Sequence, residues 1–335
     1  MLRPTCDFQP LEQFMTRDVT FHAVLQSLRL GLFDTLEKGP YTAEQIALMY
    51  GFLPEPTEAL LDLLATHNLL ARNGDGYKNA PLVSEYLVSG STFFQGTAME
   101  LNNRFNQYIV SEFMPLLKGE SQARGRTDDD WGNADTMRGT LQYAILGALQ
   151  DTVAFIADLP GFQSFRAMAD IGGNHGEYSM VLLELNPNLR STVWDLPGVV
   201  ETAEEHIAER GFSDRVTVRP CDLRTERLPA GEYDLVLASH VLYGFMDDLP
   251  GFLGTIHDAL KSGGWFVAQH MNPASNMPPE QKCSLEFVTR MVGYRTHFIP
   301  RDQMESAMGA AGFQNFRTGA AGRNQCGLIV AGQRA

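Results

Sequence analysis

The sequence predicts an α/β protein: a doubly wound parallel sheet in the C-terminal half, preceded by a smaller, mostly α domain. Three observations predict it. From Phe165 onward, short apolar runs alternate with amphipathic stretches of helical period, the pattern of strands joined by crossover helices. The first apolar run ends in Asp170-Ile171-Gly172-Gly173-Asn174-His175-Gly176, a small-residue turn that opens a helix. The next ends in Trp194-Asp195-Leu196-Pro197, with Asp195 twenty-five positions after Asp170. Glycines let a backbone pass close to a ligand, and a helix N-terminus offers free N–H groups. An acid at the end of the following strand can accept from both hydroxyls of a ribose. These parts imply a site for an adenosine-containing ligand. The glycine spacing departs from Gly-x-Gly-x-x-Gly, so the ligand need not be a dinucleotide.

The elements follow in order. Residues 19–36 carry apolar side chains at helical spacing and stop at Gly39-Pro40, which predicts one helix. Thr42 with Gln45 forms a capping-box pattern for a second helix that Gly51 ends. Residues 54–67 make a third, with Leu60, Leu61, Leu63 and Leu64 on its buried side. Asn73-Gly74-Asp75-Gly76 then marks a hairpin. Three helices and a hairpin make a winged helix. Its third helix carries Glu55, Glu58 and Asp62 and no Lys or Arg, so phosphate repels it. With a formal net charge of −14, this argues against nucleic acid as a partner.

Residues 101–160 are expected to be a helical bridge between a domain of residues 1–100 and one of residues 161–335. Within the bridge, 141–156 reads as one buried helix, too polar to span a bilayer because it contains Gln142, Gln150 and Asp151. Asp128-Asp129-Asp130 reads as a solvated loop without supporting metal ligands. Strands are expected at 167–171, 191–194, 216–219, 235–238 and 265–270, and helices at 177–185, 199–210 and 249–261. Ser262-Gly263-Gly264 would stop the last of these helices. A final helix near 302–311 and strands at 315–318 and 327–331 complete the chain. Cys6, Cys221, Cys283 and Cys326 are scattered, without a C-x-x-C pair. They read as reduced thiols of a cytoplasmic protein, with no metal site and no targeting or membrane segment.

Several runs fall in a recognisable order. They are Leu30-Gly31-Leu32-Phe33-Asp34, Pro81-Leu82-Val83-Ser84-Glu85-Tyr86-Leu87, the Asp170–Gly176 turn, Asp195-Leu196-Pro197, Cys221-Asp222-Leu223 and Ala310-Ala311-Gly312-Phe313. On them, nearly the whole chain resembles the small-molecule O-methyltransferase family, which includes caffeate-type plant enzymes, acetylserotonin methyltransferase and bacterial tailoring enzymes. The resemblance implies a Rossmann-like class I methyltransferase domain behind a winged-helix dimerisation domain. It also implies S-adenosyl-L-methionine as cofactor, a homodimer and a small-molecule acceptor. Asp170 would open the cofactor motif. Gly172, Gly173 and Gly176 would pass beneath the methionine and ribose, and Asp195 would take the ribose hydroxyls with Leu196 beside the adenine. Asp222 would accept from the adenine amino group, and Leu223 would cover the ring. Asp195 and Asp222 have structural alternatives, as a helix cap and a turn former.

The chain also departs from the family. Where the family has Leu-His-Asp-Trp with His as general base, this sequence has Leu242-Tyr243-Gly244-Phe245. The acid that steadies that His aligns near Phe298, and the family's basic residue near the cofactor is Ser239. A tyrosine, with a reference pKa near about 10, is a weak base at neutral pH and a good hydrogen-bond donor. Tyr243 also resembles the bacteriochlorophyllide C-methyltransferase branch, so carbon methylation stands as the alternative to oxygen. A noncatalytic adenosine-ligand-binding protein is an alternative of another class. His240, His270 and His297 are further candidates for a base, and Asn103, Phe287 and Met291 are candidates for the acceptor pocket.

Overall fold

The computed structural model describes residues 2–121 and 123–335. They form two units, residues 1–100 and 101–335. The segment 101–160, expected as a bridge, belongs with the second unit rather than standing apart.

In the first unit, helix Gln9–Arg29 is followed by a break and a short helix Leu32–Glu37. The single helix expected over 19–36 is thus two, because Gly31 takes a left-handed conformation with φ of 70°. Helix Ala43–Tyr50 starts with the capping box of Thr42 and Gln45, both halves of which form. Helix Pro54–Thr66 leads into the hairpin of β1 (Leu70–Asn73) and β2 (Gly76–Asn79). Phe33, Ile46, Leu61, Leu64 and Tyr77 converge in one core. Each such side chain contributes about 1.5–3 kcal/mol by leaving water. Leu11, Phe14, Met15 and Val19 on the first helix stay exposed, as do Leu48 and Leu53.

The second unit opens with helices. Residues 141–156 are not one helix: Ala134–Ala144 and Ala148–Ala157 are separated by Gly147, at φ of 122°. The acidic triplet is the end of helix Ala123–Asp130, not a loop. Asp130 pairs with Arg104 and accepts from the Thr136 hydroxyl, and Asp128 pairs with Arg224, so two of the three acids tie the chain together.

Among the described residues the sheet has seven strands: β3 (Ala167–Ile171), β4 (Arg190–Asp195), β5 (Val216–Pro220), β6 (Tyr233–Ser239), β7 (Leu260–Met271), β8 (Phe313–Ala321) and β9 (Gly327–Arg334). Their spatial order is β5-β4-β3-β6-β7-β9-β8. The first five run parallel, as expected, while β9 and β8 pair antiparallel at one edge. The sheet is therefore mixed rather than wholly parallel. β7 begins earlier than expected, so Ser262-Gly263-Gly264 lies within the strand; helix Leu249–Ala259 ends just before it.

Both faces of the sheet are covered. Met168, Leu235, Leu237, Trp265 and Val267 enter one apolar cluster, and their alternating neighbours Ala169, Ile171, Val236, Ala238, Phe266 and Ala268 enter the other. After β3 the chain goes to one side, through β4 and β5, and then crosses to β6 and β7 on the other. The gap between the ends of β3 and β6 is the topological switch point, where ligands of such sheets bind.

Candidate active site

The glycine turn sits at that switch point. Gly172 has φ of 60°, and its N–H donates to the Trp194 carbonyl at 2.7 Å. A Cβ on Gly172 would lie 2.5 Å from Val241 Cγ2, just beyond β6. A Cβ on Gly173 would lie 2.6 Å from the Asp170 carboxyl carbon. Asn174 stands where the family has glycine and adopts φ of 44°, as its side chain permits. It is held there by Nδ2 donating to the Trp131 carbonyl at 3.0 Å. Gly176, at φ of 68°, precedes helix Glu177–Leu185.

The two acids divide their labour. Asp195 is buried, and its two oxygens accept one backbone N–H each, from Asn174 at 2.8 Å and Leu196 at 2.7 Å. Each oxygen keeps a lone pair for a further donor. Burial raises its pKa to about 6 against the pull of those two bonds. Asp170 does not reach an open edge. It lies beneath the Gly173 turn, 1% exposed, accepting from the Ser179 hydroxyl at 2.8 Å, and burial raises its pKa to about 7. Direct cofactor contact by Asp170 gives way to support of the turn, because Gly173 closes over the carboxyl.

Asp222 is committed to its own turn. Arg224 grips both of its oxygens, with Nε and Nη2 at 2.8 Å, and reaches Asp128 with Nη1. Two cationic prongs therefore already occupy the acid expected to read adenine. Leu223 is buried beside Cys221 and Leu228, and Leu196 is half-buried. Ser239, at the family's basic position, donates to Gln269 Oε1 at 2.8 Å. Gln269 joins the site without any motif to announce it.

Beyond β6 the chain builds a cluster of aromatic nitrogen and oxygen. His240 takes φ of 56°, a conformation rarely used by a non-glycine residue, and its N–H donates to the Gln269 carbonyl at 2.8 Å. The Tyr243 hydroxyl lies 2.6 Å from His240 Nδ1 and accepts from the Met271 N–H at 3.3 Å. The His297 ring stacks on Tyr243, with centroids 4.2 Å apart, and lies 6.0 Å from the His240 ring. Desolvation, with neighbouring histidines beside it, lowers the pKa of His240 and of His297, though both residues keep contact with solvent. Burial raises the Tyr243 pKa. These three side chains are neutral near pH 7.

His270 is different. It is fully buried, Nε2–H donates to the Ile299 carbonyl at 2.9 Å, and Nδ1 is sealed from solvent without a partner among the described residues. It has no edge to offer a small molecule, so its expected place among the catalytic groups gives way to packing against the 297–299 segment. Of the pocket candidates, Asn103 and Met291 are buried, while Phe287 is exposed and faces Phe113 at 6.3 Å. Among the described residues no His, Cys, Asp and Glu group could hold a metal.

The chain matches the O-methyltransferase domain over residues 132–314 and the O-methyltransferase dimerisation domain over residues 13–89. It belongs to the O-methyltransferase family. An N,N-dimethyltransferase, OxyT of Streptomyces rimosus, is 30% identical over 79% of each chain. Acetylserotonin O-methyltransferase of Rattus norvegicus is 30% identical over 75% of this chain, which spans 59% of that longer enzyme. Among solved structures, an O-methyltransferase family protein from Burkholderia thailandensis superposes with a TM-score of 0.79 over 99% of both chains at 19% identity, a likeness of fold. As a member of this family, the chain is an S-adenosylmethionine-dependent methyltransferase. The residues fit that cofactor: the glycine turn lies at the switch point beside Asp195, whose two oxygens each keep a lone pair for a diol.

Proposed function

We propose that this methyltransferase acts on a hydroxyl of a small aromatic or conjugated acceptor. The observation that carries the reading is the neutral cluster of His240, Tyr243 and His297, beside Val241 and hence beside the Gly172 turn. The cofactor supplies an electrophilic methyl group on sulfur. Displacement at that carbon depends largely on how the acceptor is held. A crowded site of neutral donors and acceptors suits a flat, weakly acidic hydroxyl compound. Tyr243, with its hydroxyl engaged on both sides, is a positioning residue for His240 rather than a base. The relatives include one named for nitrogen and one for oxygen methylation, so the acceptor atom rests on the pocket. Incubation with S-adenosylmethionine and a panel of phenols is expected to yield S-adenosylhomocysteine only while a free hydroxyl is present. Equal yield with the corresponding methyl ethers would refute the reading.

Asp195 holds the ribose in this reading. Asp195→Ala leaves the ribose hydroxyls unpaired and is expected to cost about 1–3 kcal/mol of cofactor affinity. A diol donates to the ionised carboxyl, and the carboxyl titrates near about 6. Wild-type affinity should therefore rise with pH through that value and level off above it. Calorimetry should find this slope lost in Asp195→Asn; a slope that survives in the amide variant removes Asp195 from the site.

The protein works as a homodimer in the cytoplasm, joined through its first unit. Support comes from the dimerisation domain and from Phe14, Met15 and Val19, exposed along one helix. No helix among the described residues is long and apolar enough to cross a membrane. Light scattering should give twice the chain mass of 37.1 kDa, and Phe14→Glu with Val19→Glu should shift it toward a single mass. A wild-type monomer at micromolar concentration would contradict this.

A further inference from the structure

The hydrogen bonds around the two accessible histidines fix which nitrogen of each ring carries its proton. The Tyr243 oxygen already accepts the Met271 N–H, and among the described residues its own proton has one partner within reach, His240 Nδ1. Nδ1 is therefore an acceptor, and the single proton of this neutral ring sits on Nε2. His240 presents an N–H donor.

His297 is set the opposite way. The Thr289 hydroxyl donates its proton to the Leu285 carbonyl at 2.7 Å, leaving Oγ1 to accept from His297 Nδ1, 3.0 Å away. The His297 proton is thus on Nδ1, and Nε2 carries a lone pair. Its backbone N–H donates to Glu286 Oε2 at 3.0 Å, and Glu286 also takes Arg290 at 2.8 Å. The hydrogen bonds from His297 N–H and Arg290 outweigh burial and keep the Glu286 carboxyl ionised. A donor and an acceptor therefore stand side by side, on rings 6.0 Å apart.

We infer that this pair reads an acceptor in which a carbonyl stands next to the hydroxyl to be methylated, with His240 Nε2–H donating to the carbonyl oxygen and His297 Nε2 accepting the hydroxyl proton. The inference rests on the methyltransferase reading above and deepens it. It makes His297 the catalytic base in place of the residue after β6 where the family keeps one. As the acceptor oxygen bonds to the methyl carbon, the carbon–sulfur bond breaks and its electron pair stays on sulfur. The hydroxyl proton passes to His297 Nε2, so the positive charge of the sulfonium ends on the imidazolium. Glu286 stabilises that charge, and His270, His240 and the stacked Tyr243, the other titratable rings facing it among the described residues, are neutral. Because His297 is a weak base, it takes the proton as the oxygen–carbon bond forms, when the oxygen becomes cationic and its proton strongly acidic.

The test uses the full-length protein saturated with S-adenosylhomocysteine, so that binding is read without turnover. The probes are naphthol carrying an ortho acetyl group, plain naphthol, and acetonaphthone without a hydroxyl. Difference absorbance should show wild type binding the hydroxy-ketone about ten-fold more tightly than either of the others, the value of one hydrogen bond between neutral groups. His240→Leu should erase that preference over naphthol, and His240→Gln, which keeps a donor, should restore most of it. His297→Leu should weaken both hydroxyl probes while leaving acetonaphthone unchanged. In turnover it should lower kcat more than it raises KM. Equal binding of the three probes by wild type overturns the inference, whatever the variants do. A His240→Leu protein that retains the preference, with cofactor affinity intact, also overturns it. Failure to bind S-adenosylhomocysteine at all would instead overturn the methyltransferase reading.

Discussion

Gly172→Ala is expected to remove most cofactor binding and to lower the melting temperature by roughly 5–15 °C. Two costs add. At φ of 60° an alanine pays the left-handed penalty, on the order of 1–2 kcal/mol. Its Cβ would also stand 2.5 Å from Val241 Cγ2, an overlap that moves either the turn or the start of the segment carrying His240. Overpacking of this kind costs about 1–3 kcal/mol, and in a domain of this size about 2–4 °C is lost per kcal/mol. The double variant Gly172→Ala with Val241→Ala separates the terms: trimming Val241 relieves the overlap and leaves the backbone penalty. Thermal melts and calorimetry should recover part of the loss and not all of it. Full recovery would mean that the left-handed backbone is not required, and no loss in the single variant would mean that the turn is not the cofactor's cradle.

Tyr243→Phe should lower turnover about 10- to 100-fold and leave cofactor affinity nearly unchanged. The ring and its stacking on His297 survive, while His240 Nδ1 and the Met271 N–H each lose a partner. Loss of such a bond costs on the order of 1–3 kcal/mol. The effect reaches the chemistry through His240, which is then free to exchange its outward proton between nitrogens. An essential base would behave differently, with a loss at the upper end of the general-base range, about 10⁴-fold, partly recovered at high pH. Wild-type turnover in steady-state assays of Tyr243→Phe would show that the hydroxyl has no part in the site.

How much was legible in the sequence depends on the range of each interaction. The strands, their alternation between two cores and the Gly172-Gly173 turn are written in local pattern and could be read directly. Breaks inside helical runs were harder. Gly31 and Gly147 each split a run with continuous helical spacing, because side-chain periodicity does not report a single positive φ. The antiparallel edge formed by β8 and β9 is a matter of pairing, which no local signal carries. The place of Asp195 at the end of a strand followed from the pattern. The capture of Asp222 by Arg224 did not, although the two residues are close in sequence, since a bidentate pair is one of several fates open to an exposed acid. The histidines looked dispersed at 240, 270 and 297. The fold brings two of them to one wall through β6, β7 and the loop after helix Pro279–Met291, and buries the third. Their proton positions depend on Thr289, Leu285 and Met271, partners that only the folded chain supplies.

The most direct test of the central claim is transfer of an isotope-labelled methyl group. The protein is incubated with methyl-labelled S-adenosylmethionine and a mixture of hydroxy-ketone and simple phenolic aromatics, and the products are read by NMR. The account predicts label on oxygen, as the methyl of an aryl ether next to a carbonyl. Label on a ring carbon or a nitrogen, or label that never leaves the cofactor, would contradict it.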